Sequence, residues 1–326
     1  MELVFLIVIL GLLFDYTNGF HDAANVVSTV IATRALAPVA AITLAGVLNF
    51  AGATQIGGVA QTISSGLVES KETSQLTVLA ALIGAIVWNF ATWWKRIPSS
   101  SSYALIGGLL GASWVHQGAD TILWVNLIRK VLIPMIVVPG LAFGVSFGLM
   151  RLLLNKDHSA RRYRLFRHLQ IGSACLVALA HGLNDAQKSM GIITLGLFAG
   201  GVISTLHIPW WVILACAVTM GLGTAFGGFR NIKTMGFSIT SLDPVQGFAA
   251  ESSASVLILI ASFLGMPISS TQMIAGSITG VGSAKGREAV QWAVPQKLVT
   301  AWLLTLPGAG LMSAGVYSVI GLFSGS

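Results

Sequence analysis

Two aspartates with polar neighbours lie in strongly hydrophobic segments, one in each half of the 326-residue chain. Asp22 lies within residues 19–25, and Asp185 lies within residues 182–188. Carboxylates and amides are costly inside apolar helices, so they mark candidate functional sites. Their oxygen atoms are suited to binding a hard cation. The alternative is a structural role, in which each aspartate pairs with a neighbouring donor to hold helices together.

A hydroxyl-rich cluster follows each aspartate further along the chain. Four serines occupy residues 99–102 directly after Pro98, and Ser, Ser and Thr occupy residues 269–271 shortly after Pro267. Proline favours the first turn of a helix, and the free N–H groups of a helix start bind oxyanions. The clusters therefore indicate an oxyanion site, with helix capping or packing contacts as the alternative role.

The aspartate segments and hydroxyl clusters occur in the same order in both halves. Such duplication is typical of secondary transporters built from inverted repeats, whose site lies where the repeats meet. We therefore predict an all-α polytopic membrane protein with two inverted-topology repeats of about five membrane segments each, with broken helices and Ser-rich half-helices at the midplane. The repeats are predicted at residues 1–155 and 169–326, joined by a basic cytoplasmic loop at residues 156–168.

The composition excludes an ordinary soluble domain. Hydrophobic residues make up 55% of the chain and charged residues only 9%, whereas soluble domains carry about 25% charged residues. The net charge of +7 does not indicate nucleic acid, because the basic residues cluster in short loops. That pattern sets membrane orientation.

The distribution of charge predicts the topology. Residues 151–167 hold many Arg and Lys residues and one acid, Asp157, which places this segment in the cytoplasm by the positive-inside rule. Both termini are then outside, in a multi-pass protein of the cell (inner) membrane. The first apolar run lacks a basic start and a cleavage site, so it is interpreted as a retained span.

Some apolar segments are longer than a simple span needs. Residues 3–33 would reach about 46 Å as one helix, against a hydrocarbon core of about 30 Å. A break at residues 17–20 would shorten this span, because Gly19 tolerates the required backbone angles. The same reasoning predicts a break at His181 and Gly182.

These segments resemble the inorganic phosphate transporter (PiT) family. The resemblance covers essentially the whole chain, and its paired motifs in order are specific. It is carried by Phe14, Asp15, residues 18–25, residues 33–36, Pro38, residues 181–193, residues 247–251 and residues 267–272. Family members often have a histidine after the hydroxyl triplet, where this chain has Tyr103 and Gln272.

The resemblance implies cation-coupled uptake of phosphate, with sodium or protons as the driving ion. We predict a secondary symporter, not an enzyme, that imports inorganic phosphate across the cell membrane on a sodium gradient. No cofactor is expected beyond the transported sodium ions. The expected partners are phosphate, sodium and membrane lipids, together with a second copy in a homodimer, and no nucleic acid.

The site residues follow from the matched motifs. Phosphate is assigned to Asn25, Ser101, Ser102, Gln187, Ser270 and Thr271. Cation binding is assigned to Asp22, Asn184 and Asp185, with sodium at Asp22 and Asp185. Further candidates are His21, Ser100, Lys188, Glu251 and Ser269. Two roles stay open for Lys188, neutralising Asp185 or touching the substrate.

Other functions stay open at this point. His21 beside Asp22 keeps proton coupling as an alternative to sodium. Sulfate has the size and geometry of phosphate, so a sulfate transporter of the same family is a second alternative. A passive anion channel would not need paired aspartates beside an anion site. A phosphate-ester enzyme is disfavoured because a metal or nucleophile constellation is missing, and no ATP-binding Gly-rich motif occurs.

Overall fold

The protein folds into a bundle of helices in the computed structural model, which describes residues 1–55, 57–95, 97, 99–154, 159–227 and 229–324, with side chains except at 229–231, 233, 323 and 324. Within these ranges, the β-structure is one isolated antiparallel bridge between Val68 and Ile122. The predicted helix start at Pro98 and the centre of the basic loop, residues 155–158, lie outside the described residues. The predicted all-α fold is confirmed.

The helices occur in the same order in both halves. The first half contains α1 Glu2–Ala32, α2 Pro38–Ala53, α3 Val59–Ser65, α4 Gln75–Trp94, α5 Ser101–Gln117, a 3₁₀ turn Ala119–Thr121, α6 Trp124–Leu127, a π-helical segment Ile128–Leu132 and α7 Ile133–Leu153. The second half contains α8 Ala160–Ala199, α9 Trp210–Phe226, α10 Phe229–Phe237, α11 Pro244–Phe263, α12 Ser270–Lys285, a 3₁₀ turn Arg287–Ala289 and α13 Ala293–Ser324.

Five helical stretches within the described residues are long and apolar enough to cross a membrane. They are Glu2–Ala32, Gln75–Trp94, Trp124–Leu153, Pro244–Phe263 and Ala293–Leu322. The helices Pro38–Ala53 and Trp210–Phe226 are also apolar but shorter. The hydroxyl-rich helices α5 and α12 have 17 and 16 residues, fewer than the roughly 20 needed to cross. Half-helices at the midplane stay a prediction.

The predicted breaks in the two long helices are wrong. Helix α1 is continuous over 31 residues and α8 over 40 residues. The glycines serve close packing instead of bending. A Cβ added to Gly19 would lie 2.6 Å from the carbonyl oxygen of Met220, and one added to Gly182 would lie 2.2 Å from that of Asn49. Each glycine thus lets a neighbouring backbone approach.

The basic connecting segment is shorter than predicted. Helix α8 begins at Ala160, so residues 160–168 are helical instead of forming a loop. Ser159 precedes this helix, and its side chain accepts a hydrogen bond of 3.2 Å from the backbone N–H of Arg162. A serine cap of this kind satisfies one of the free N–H groups of a helix start. The cap extends α8 backwards into the basic segment.

The corresponding helices α1 and α8 pack against each other in opposite directions. Gly11 faces Ile193, while Gly196 faces Ile7 and Gly200 faces Val4. As the residue number decreases along α1, the number of its contact residue on α8 increases, so the two helices are antiparallel. Opposite directions of equivalent helices are expected of inverted repeats.

Helices α5 and α13 pack closely and in the same direction. A Cβ added to Gly107 would lie 2.2 Å from the carbonyl oxygen of Leu306, and one added to Gly111 would lie 2.1 Å from that of Gly310. Small residues at such a contact let helix backbones touch without a layer of side chains. This contact anchors α5, whose N-terminal end carries the first hydroxyl cluster.

The substitution Gly111→Ala should destabilise the protein because the new methyl group overlaps the α13 backbone. Overpacking of this kind costs about 1–3 kcal/mol, and the melting temperature of the purified protein in detergent should fall. The matched control is Gly144→Ala on α7, where nothing lies within 4 Å of the added Cβ. Alanine there removes a glycine from a helix interior, which gains about 0.5–1 kcal/mol. Equal melting temperatures for both variants would contradict the proposed close contact.

Candidate functional site

The two aspartate motifs and the two hydroxyl clusters meet in the interior of the bundle. Asp22 and Asp185 lie within the antiparallel helices α1 and α8. The first turns of α5 and α12 supply Ser101 and Ser270, which reach these two carboxylates. Segments that are distant along the chain thus form one polar centre in an apolar bundle.

Asp22 accepts hydrogen bonds from both halves of the chain. The hydroxyl of Ser101 donates to Asp22 Oδ2 over 3.0 Å, and the hydroxyl of Thr271 donates to Asp22 Oδ1 over 3.3 Å. Asn25 Nδ2 donates to the Thr271 hydroxyl over 2.8 Å. The ring nitrogen Nδ1 of His21 lies 3.2 Å from Asp22 Oδ1. This carboxylate therefore accepts from two hydroxyl groups and lies beside a histidine, and Asn25 supports one of the two hydroxyls.

Asp185 has an equivalent hydroxyl partner but a different charge environment. The hydroxyl of Ser270 donates to Asp185 Oδ2 over 2.8 Å. His181 Nε2 lies 2.8 Å from the same oxygen, one helical turn before the aspartate. The ammonium of Lys188 donates to Asp185 Oδ1, so the pair forms a buried salt bridge.

The Lys188 ammonium also contacts the first hydroxyl cluster. It donates to the hydroxyl of Ser102 over 2.5 Å and to the carbonyl oxygen of Ile268 over 2.8 Å. The side chain is fully buried. These contacts are those of an ammonium paired with Asp185, and contact of Lys188 with the substrate stays a prediction.

The two carboxylates lie close enough to share one ion. Ligand atoms of Asp22, His181 and Asp185 all lie within 4.8 Å of one another. Asp22 is 2% exposed and Asp185 is 0% exposed. Two carboxylates and one ammonium leave a negative charge if the histidines are neutral, and bringing such charge out of water is costly unless a cation joins it.

The hydroxyl clusters divide into capping and inward-facing residues. The side chains of Ser100 and Ser269 accept from the backbone N–H groups of Tyr103 and Gln272, over 3.3 and 3.4 Å. These two serines are N-caps. The next residues, Ser101 and Ser270, reach the carboxylates instead.

The first turns of α5 and α12 are also linked to each other. Tyr103 lies in the first turn of α5 and Gln272 lies in the first turn of α12. The hydroxyl of Tyr103 donates to Gln272 Oε1 over 3.3 Å. The bond joins the two hydroxyl-bearing helix starts across the halves of the chain.

Two predicted residues are engaged away from the carboxylates. Gln187 Oε1 accepts from the backbone N–H groups of Val59 and Ala60 at the start of α3, over 3.1 and 3.2 Å. Asn184 Nδ2 donates to the hydroxyl of Ser262 near the end of α11 over 2.8 Å. In this conformation both side chains tie α8 to neighbouring helices.

Glu251 lies in a separate polar cluster. Its carboxylate accepts from the Ser173 hydroxyl over 2.5 Å, from Gln170 Nε2 over 3.3 Å and from the Thr29 hydroxyl. Glu251 is 0% exposed. The cluster therefore forms a second buried carboxylate site, held by neutral donors from α1 and α8.

Sequence reasoning missed several polar residues on α1 and α8. Asn18 precedes Asp22 by four residues, and His181 precedes Asp185 by four. Asn18 Oδ1 shares the hydroxyl hydrogen of Ser101 with Asp22, so it belongs to the site. Residues four apart share a helix face, and this spacing was the signal that could have identified them.

Asp15 is a further buried carboxylate on α1. Its Oδ2 accepts from the hydroxyl of Thr219 on α9 over 2.8 Å. It lies on the helix face that also carries Asn18, Asp22, Asn25 and Thr29, since these positions are three or four residues apart. All are buried. Helix α1 therefore carries a polar stripe on both sides of the central site.

Comparison with known proteins identifies one family. The phosphate transporter family matches the chain in two segments, residues 18–158 and 154–313. A protein of Bacillus subtilis (strain 168), named a probable low-affinity inorganic phosphate transporter, is 40% identical over 98% of this chain and 98% of its own length. A protein of the same name in Rhizobium meliloti (strain 1021) is 41% identical over 95% of this chain and 94% of its own length.

A further relative and a solved structure give the same result. A probable low-affinity inorganic phosphate transporter of Mycobacterium bovis is 44% identical over 99% of this chain and 79% of its own length. The solved structure described as "The sodium-dependent phosphate transporter" superposes with a TM-score of 0.89. It is 26% identical, with 99% of this chain and 100% of that chain covered.

Proposed function

The chain belongs to the phosphate transporter family, and from this membership we propose that it imports inorganic phosphate across the cell membrane in symport with sodium. The family and the similar proteins are transporters and not enzymes. The observation that carries the proposal is the pair of buried carboxylates, Asp22 and Asp185, each bonded to a hydroxyl at a helix start. Groups that can bind an anion and groups that can bind a cation thus lie side by side.

The hydroxyl groups are proposed to replace the water around phosphate. Ser101, Ser102, Ser270 and Thr271 lie in the first turns of α5 and α12, where backbone N–H groups point out of the helix start and favour an oxyanion. Asn25 already donates to Thr271 and would turn its amide to phosphate. Gln187 would have to leave the start of α3 to contribute.

The carboxylates are proposed to bind the driving cation. Asp22 and Asp185 would repel a bare phosphate, so a cation between them makes the anion site favourable. Sodium is coordinated by carboxylate, hydroxyl and amide oxygens, and Asn184 would complete its coordination. The similar structure is described as sodium-dependent, which supports sodium here. Glu251, in its separate polar cluster, is a further proposed coupling residue.

Alternating access is proposed to use two inverted repeats, residues 1–155 and 169–326. The antiparallel packing of α1 and α8 supports this arrangement. The repeats would exchange conformations about the central site. In the proposed topology the basic segment lies in the cytoplasm, and both termini lie on the outer side of the inner membrane. Helices α7 and α13 expose many apolar side chains and are the proposed surfaces for lipid and for a homodimer.

Uptake into liposomes tests this function. Purified protein should concentrate labelled phosphate when a sodium gradient points inward and should fail to do so without the gradient. Uptake that only equilibrates phosphate would indicate a passive channel. Excess unlabelled sulfate should leave phosphate uptake largely intact, and strong competition would indicate a sulfate transporter.

Proton coupling is the second candidate for the driving force. It is favoured by the two histidines that contact the carboxylates, His21 at Asp22 and His181 at Asp185. Histidine is a common proton carrier in proteins, which is the reason for this alternative. Equal uptake driven by a proton gradient in sodium-free buffer would replace sodium with protons in the proposal.

A further inference from the structure

The two halves of the site make equivalent contacts with one difference in charge. Asn25 follows Asp22 by three residues, and Lys188 follows Asp185 by three. Asn25 reaches across to the hydroxyl of Thr271 over 2.8 Å, and Lys188 reaches across to the hydroxyl of Ser102 over 2.5 Å. One half therefore has a neutral amide where the other has an ammonium.

The Lys188 ammonium has the oxygen surroundings of a bound cation. Its partners are a carboxylate oxygen of Asp185, the hydroxyl oxygen of Ser102 and the backbone carbonyl oxygen of Ile268. Hard cations take carboxylate, hydroxyl and carbonyl oxygens as ligands. All of these groups are buried, so the ammonium holds a position that water does not reach.

We propose that the Lys188 ammonium is a covalently attached substitute for one transported cation. The inference rests on the proposed symport function. Lys188 permanently compensates the charge of Asp185, so the negative charge left for the mobile cation between the two carboxylates is that of Asp22. The residue at position 188 then sets how many cations accompany each phosphate. With lysine there, the number of cations is one fewer than in a site that has neutral residues at both position 25 and position 188.

Counting charges gives the consequence. Asp22, Asp185 and Lys188 together carry one negative charge, which one sodium ion balances. With a neutral residue in place of Lys188, the two carboxylates carry two negative charges and require two sodium ions before phosphate can bind. If phosphate binding requires one more sodium ion, thermodynamic linkage makes phosphate binding depend more steeply on the sodium concentration.

The variant Lys188→Asn, which copies Asn25, tests this inference. At a sodium concentration that half-saturates the unaltered protein, phosphate uptake should fall more than about tenfold, because a buried carboxylate loses its partner. High sodium should restore uptake, and the Hill slope for sodium should rise by about one. Lost uptake with an unchanged slope at every sodium concentration would overturn the inference.

A double variant guards against loss of folding and against the alternative role. Asp185→Asn with Lys188→Asn removes both charges and leaves one carboxylate, so it should regain uptake relative to Lys188→Asn at low sodium. If Lys188 instead contacts phosphate directly, the double variant stays as defective as the single variant, and the inference fails.

The matched control is Lys130→Gln on the π-helical segment. The Lys130 ammonium donates to the hydroxyl of Thr62 on α3 over 3.1 Å, whereas the Lys188 ammonium donates to Asp185. This variant should keep the sodium slope of the unaltered protein, and a steeper slope would contradict a specific role of Lys188. If the unaltered protein itself transports phosphate without a cation gradient, the proposed function fails before this inference is tested.

Discussion

Replacement of Asp22 by Asn is expected to abolish sodium-driven phosphate uptake. The amide keeps the size of the side chain but removes the negative charge that holds the mobile cation. Removing one partner of a buried charge pair costs about 3–5 kcal/mol, which corresponds to more than about 100-fold in cation affinity. Initial rates of labelled phosphate uptake into liposomes, measured over a series of sodium concentrations, give the size of the loss.

The control for this variant is Asp120→Asn. Asp120 is exposed in the 3₁₀ turn after α5, so the same chemical change occurs outside the site and should leave uptake unchanged. Phosphate binding to the Asp22→Asn protein is also measured at very high sodium concentration. Recovered binding indicates a weakened cation site, and absent binding indicates that the site has lost its structure. Normal sodium-dependent uptake by the Asp22→Asn protein would reject the assignment of cation binding to this carboxylate.

Replacement of Thr271 by Val should weaken phosphate binding while leaving the helix in place. Valine has the same shape but lacks the hydroxyl, which donates to Asp22 and accepts from Asn25. A hydrogen bond to a charged group contributes about 1.5–3 kcal/mol, so the phosphate concentration for half-maximal uptake should rise about 10- to 100-fold. The measurement is uptake over a series of phosphate concentrations at saturating sodium.

Thr305→Val is the control for the threonine variant. Thr305 is also buried, and its hydroxyl donates to the carbonyl oxygen of Ala301 in its own helix, α13, over 2.6 Å. The same atoms are removed there without touching the central site. Equal effects of the two substitutions on half-maximal phosphate would show that Thr271 acts through helix stability and not through the anion.

Much of the central site was predictable because the chain repeats its chemistry. Asp22 and Asp185 stand out in apolar segments, and the hydroxyls of Ser101 and Ser270 follow at similar distances. The structure brings these four residues together as two carboxylate–hydroxyl pairs. The energetic cost of polar groups in apolar helices was the reason that they could be identified.

Glycine alone did not predict whether the long helices break, and both are continuous. Gly19 and Gly182 permit a bend, but they also permit a neighbouring backbone to approach, and a single sequence does not distinguish these uses. The structure shows contacts with Met220 and Asn49. The neighbour that fills the space belongs to another part of the chain, so the choice depends on tertiary packing.

The sequence by itself determined that the protein is a helical membrane protein with duplicated polar motifs, because hydrophobic length and residue spacing are local properties. Only the tertiary structure decided which groups meet. It placed the Lys188 ammonium of α8 against the hydroxyl of Ser102 on α5, and it gave Asp22 hydroxyl donors from α5 and α12. The hydroxyl partners of both carboxylates come from helices far apart in sequence, so their identity depends on how the helices pack.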